Sequence, residues 1–72
     1  MTPDLLRRVG ETCFGNIWQT DLARALGVAD RTMRHWAAGT RPMPPGLRDD
    51  LARVVADRGR AIQALYRELV NG

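Results

Sequence analysis

The chain of 72 residues contains no lysine; all eleven of its basic side chains are arginine. It holds one cysteine and one histidine. A lone cysteine excludes an internal disulfide, and with it the stapled architecture of small secreted domains. So few histidines and thiols, with no cluster of carboxylates, leave too few ligands for a protein-held metal. They also leave no nucleophile–base–acid set for catalysis. No metal, no cofactor and no enzymatic activity are therefore expected. No apolar run approaches the ~18–20 residues of a membrane span, and the N-terminus lacks the pattern of a signal peptide. A cytoplasmic protein without a membrane partner is the expectation.

What remains is ordinary globular material. With 44% hydrophobic and 26% charged residues, the chain is too apolar for disorder. It is one domain, and a domain this small has a thin core that a partner subunit often completes. Codon usage in a GC-rich genome explains most of the arginine bias. Yet arginine is also the better reader of phosphate and guanine, because its planar fork donates two parallel hydrogen bonds. The net charge of +3 is unevenly spread: residues 1–23 sum to −1, residues 24–48 to +4 and residues 49–72 to zero. A central basic patch suits a polyanion, although a merely solvated face has the same composition.

The pattern is all-α, with no strand, repeat or low-complexity segment. Thr2-Pro3-Asp4 is a helix start: a capping hydroxyl, proline at the first helical position and an acid to meet the dipole. Leu5, Leu6, Val9 and Cys13 continue at helical spacing to about residue 13, with Cys13 expected as a small buried hydrophobe. Gly15 stops this helix. A second helix over about 17–26 buries Leu22, Ala23 and Leu26 and ends at Gly27, with Val28 as an apolar plug. A third carries Met33, Trp36 and Ala37 inward until Gly39. Asn16 and Asp30 are the expected caps of these two helices. Three prolines between Gly39 and Gly46 enforce a stiff connector. From Leu47 a helical pattern runs almost to the end, through Gly59. One long helix and two helices hinged at that glycine both fit, so a small four- to five-helix domain is expected.

Gln19, Ala23, Gly27, Met33 and Trp36 form the informative constellation. Ala23 is small where two helices cross closely, Gly27 permits a positive φ in the turn, and Met33 and Trp36 lie three apart on one face. This set resembles the helix-turn-helix of lambda-repressor/Cro-like (XRE-type) DNA-binding proteins. The resemblance covers residues 19–46 well and the rest of the chain loosely. Two positions depart from the family: Trp18 stands where Ser or Thr usually precedes the glutamine, and Ala29 where a capping Ser is common.

The resemblance implies that the third helix enters the major groove of double-stranded DNA. Its outward residues are then the base readers: Arg31, Arg34, His35 and Asp30, with Thr32 at the margin. Arg34 is assigned to guanine; Arg31 divides evenly between guanine and phosphate. His35 is a base or phosphate donor or a solvated histidine, and Asp30 is a cap before it is a reader of cytosine. Gln19, Thr40, Arg41 and Arg24 are the phosphate candidates, with Arg48 and Arg24 equally suited to solvent.

The final segment, 46–70, has more apolar residues than the core needs. Ile62, Leu65, Tyr66, Leu69 and Val70 must be covered, either by folding back on Leu5, Leu6 and Val9 or by a homodimer interface, which is favoured. A dimer would read an inverted repeat. The implied function is a sequence-specific transcriptional regulator, a repressor by occlusion and autoregulatory, of the phage, mobile-element or anti-CRISPR-associated kind. The alternative is an antitoxin or adaptor whose last helix binds another protein.

Overall fold

Thr2 starts the first helix as its chemistry suggests: its backbone is extended and its hydroxyl accepts from the Leu5 N–H at 3.2 Å. In the computed structural model, which describes all of residues 1–72, four helices follow. They are α1 (Pro3–Phe14), α2 (Trp18–Leu26), α3 (Asp30–Ala38) and α4 (Leu47–Asn71). The fold is all-α with a long C-terminal helix.

The α2–α3 turn is built on Gly27, which adopts φ 73° and ψ 29°, the left-handed region that glycine enters without steric cost. The turn lets Val28 donate its N–H back to the Ala23 carbonyl at 3.0 Å and tuck its side chain against the core. Gly39 ends α3 in the same conformation. Neither expected acidic or amide cap forms. Ile17 and Ala29 occupy the capping positions of α2 and α3, with no side-chain bond to the helix ends. Asp30 is already the first helical residue, so its carboxylate meets the dipole instead of capping a free N–H. Asn16 lies one residue too early.

The core is Leu6 from α1, Trp18, Leu22 and Ala23 from α2, Met33 and Trp36 from α3, and Leu47 and Leu51 from α4. Leu6, Leu22, Ala23 and Met33 are wholly excluded from solvent. A close approach between elements explains Gly10: a β-carbon there would clash with the Trp18 ring. Trp18 therefore packs flat on the α1 backbone. Cys13 is only half-buried, not enclosed, because it lies near the end of α1 where the core runs out.

α4 is one continuous helix of 25 residues through Gly59, about 37 Å long. It packs on α1 and α2 and not on α3. Beyond Val54 every residue of α4 is exposed. The apolar stripe does not fold back: Ile62, Leu65, Tyr66, Leu69 and Val70 are all solvent-facing, and Leu69 is 77% exposed. The molecule measures 47 × 22 × 20 Å, and its radius of gyration of 13.6 Å exceeds the about 11 Å of a compact chain this long. Arg58 ties the middle of α4 to the end of α1, donating to the Cys13 carbonyl at 2.7 Å while its guanidinium lies 4.5 Å from the Phe14 ring centre.

Candidate nucleic-acid interface

α3 is held by α1 and α2 along one side only, so its opposite side is free. Met33 and Trp36 turn inward; Arg31 and Arg34, offset from them, are exposed. Asp30 is exposed as well, whereas Thr32 is half-buried, at the margin of the surface.

Charge pairing separates the arginines into two groups. Arg7, Arg8, Arg24, Arg53 and Arg60 form ion pairs with acids on their own helices, and Arg58 is tied to α1. Arg31, Arg34, Arg41, Arg48 and Arg67 have no such partner. Three of these five lie on α3 or just behind it. Asp30, a turn before Arg34, makes no ion pair with it. An unpaired guanidinium on an exposed face keeps all five donors available to an anion. Arg24 is different: it faces Asp21 at 3.6 Å, a solvent-exposed pair that is weak and readily exchanged.

The uncapped start of α2 meets the start of α3 in an open concavity of about 330 Å³. Gln19, Asp30 and Arg34 line it, together with Asn16 and Thr20. Gln19 also borders a second hollow with Pro3 and Ala37. Pro3 borders a third with Thr40 and Arg41. The shared residues join these hollows into one surface from Arg34 through Gln19 to Arg41. Of the expected base-reading and phosphate groups, Asp30, Arg34, Gln19, Thr40 and Arg41 line this connected ground, whereas Arg31, Thr32, His35 and Arg24 line none of the three hollows. Free N–H groups at the start of α2 add a positive end of dipole to it.

His35 and Thr40 are bound to each other. His35 Nδ1 lies 2.9 Å from Thr40 Oγ1, and the Thr40 hydroxyl donates to the His35 carbonyl at 3.3 Å. The hydroxyl has a single proton, so once it is given to the carbonyl, its oxygen accepts from Nδ1–H. Nε2 is then the ring atom left for a ligand. The half-buried His35 ring thereby locks the turn that positions Arg41.

Asn16, expected only as a cap, and Ile17 and Thr20 join the candidate residues at this concavity. Ile17 is 85% exposed at the mouth of the concavity. Its signal was present in the sequence: it is a large apolar residue that fits no helical stripe. Compared with protein-family models, curated proteins and solved structures, the chain matches none.

Proposed function

We propose that the chain is a sequence-specific double-stranded DNA-binding regulator that acts as a dimer. One observation carries this: Arg31, Arg34 and Arg41 are unpaired and exposed on and just behind α3, whose outer side nothing covers. The resemblance to lambda-repressor/Cro-like proteins assigns that helix to the major groove. Arg34 reads guanine through O6 and N7. Gln19, Arg41 and the start of α2 fix the register on phosphates. Binding over a promoter blocks polymerase, so occlusion is the form of repression proposed for this domain.

The test is selection of bound duplexes from a random DNA pool at fixed salt. Enrichment of an inverted repeat with half-sites about one turn apart, ~34 Å, is expected. Absence of any enrichment would remove the regulator reading. On the enriched site, Arg34→Ala is expected to relax the preference at one base pair by about 1–3 kcal/mol, measured by competition between single-base variants. An equal loss on every sequence would reassign Arg34 to phosphate. Salt titration gives an independent check. With two to three arginines of each copy on phosphate, affinity should fall about 100- to 1,000-fold between about 50 and 200 mM salt.

The exposed apolar stripe of α4 also supports a second reading, an antitoxin or adaptor that presents this helix to a different protein. A chain that sediments as a monomer would favour it.

A further inference from the structure

The exposed half of α4 has a register that its core half lacks. Ala52, Val55, Gly59, Ile62, Tyr66 and Leu69 follow one another at alternating steps of three and four, the spacing of a coiled-coil seam. All six are exposed in the protomer. The charged residues Arg53, Asp57, Arg58, Arg60, Arg67 and Glu68 fall off the seam, and Leu65 and Val70, expected at the interface, lie beside it and not on it.

Size along the seam is graded. Its first half is small (Ala52, Val55, Gly59) and its second half large (Ile62, Tyr66, Leu69). Paired in parallel, small would face small and leave voids, and tyrosine would face tyrosine. Paired in reverse, Ala52 faces the partner's Leu69, Val55 faces the partner's Tyr66, and Gly59 faces the partner's Ile62. Every layer then matches a smaller residue with a larger one, which is how interiors reach close packing.

Three further observations fit the reversed pairing. Gly59 weakens the helix interior, yet its φ is not left-handed and a β-carbon there would meet nothing within 4 Å. Within one protomer the glycine has no purpose; under the partner's Ile62 it has one. Beside the small half of the seam, Leu5 and Val9 of α1 and Leu51 of α4 line an apolar cleft of about 330 Å³, ready for the partner's large residues. At the end of that cleft stands Arg48, without an ion-pair partner. The last turn of α4 has no basic residue to meet its negative dipole end. Reversed pairing brings the two together.

We infer that the partner of α4 is a second copy of this chain, packed antiparallel about a two-fold axis between Arg60 and Ala61. This rests on the dimer in the proposed function and specifies its geometry. The two copies of Leu51 are then separated by 19 helical residues, about 28 Å along the axis, or about 30 Å with the helix spacing included.

The experiment is disulfide trapping in a Cys13→Ala background. Chains with Ala52→Cys and chains with Leu69→Cys are mixed and oxidised with glutathione disulfide. Both positions are exposed in the protomer, so folding is preserved. A mixed dimer linked 52 to 69 is expected, with neither self-linked species. Like positions would lie 17 residues apart, about 25 Å, beyond the reach of a disulfide. Self-linked dimers, or a chain without substitutions that sediments as a monomer, would overturn the inference. In the same assay Gly59→Leu should weaken dimerisation at least tenfold; unchanged dimerisation would also overturn it. Failure here is separable from failure of the DNA-binding proposal. Self-linking at 69 with an enriched inverted repeat rejects only the antiparallel register. A 52–69 link with no enriched sequence rejects only the regulator.

Discussion

Ile62→Glu is expected to leave the core of α1, α2, α3 and the start of α4 folded while abolishing the dimer and most of the DNA affinity. Ile62 is 62% exposed and makes no part of the core, so the substitution removes nothing that holds α1, α2 and α3 together. In the antiparallel pair it faces the partner's Gly59 near the two-fold axis. Two carboxylates would be desolvated there, close to one another, and the two copies of Arg60 beside the axis offset that cost only in part. Under the proposed two-site binding, loss of the second half-site would remove about half of the specific-over-nonspecific binding energy. With that total at about 4–10 kcal/mol, the loss is about 2–5 kcal/mol, or roughly 30- to several thousand-fold in affinity. Sedimentation equilibrium and a DNA titration at constant salt measure the two effects on one sample. Full affinity for the inverted repeat in a monomeric Ile62→Glu protein would show that the stripe has no part in DNA binding.

The second large effect is expected from one methyl group. Gly10→Ala would place a β-carbon against three atoms of the Trp18 ring, all far inside van der Waals contact. The ring is 6% exposed and starts α2, so it cannot swing away without shifting that helix off α1. Overpacking of this kind costs about 3 kcal/mol. A domain of this size holds only about 4–11 kcal/mol in total, so the midpoint of thermal unfolding should fall by about 12–24 °C. The double variant Gly10→Ala/Trp18→Leu tests the cause. It should be less destabilised than the sum of the single changes, because the smaller side chain vacates the space. Strict additivity would place the strain elsewhere.

Gly10 also marks the limit of what could be read in advance. Inside an amphipathic helix it looks like any tolerated glycine; its constraint comes from Trp18, on another element. The same holds for Arg58, whose partners are a carbonyl and a ring on α1. Where the constraint is local, the sequence was explicit. Thr2 caps because a hydroxyl precedes Pro3, Gly27 and Gly39 end helices because they alone tolerate positive φ there, and the prolines keep 39–46 out of helix. Residue type favours Asn16 and Asp30 as caps of α2 and α3, whereas the backbone places Ile17 and Ala29 at the capping positions. The candidate surface was legible for the arginines, whose charge excess is central in the chain. The link between His35 and Thr40 was not, since it depends on the shape of the turn at Gly39. Continuity through Gly59 was undecided because helical phase is the same in a straight helix and in a gently hinged one.

The free end of α4 has a consequence for the lifetime of the protein. From Gly59 to Asn71 the helix of a lone protomer has only its own backbone bonds and side-chain propensities, over a length at which isolated helices are marginal. Dilution should therefore melt this tail as it separates the copies, so helix content measured by circular dichroism should depend on protein concentration. A melted apolar tail is the sort of segment a protease cleaves first. Molecules bound in pairs would be protected and solitary ones removed, so assembly would govern how long each copy persists as well as what it can bind.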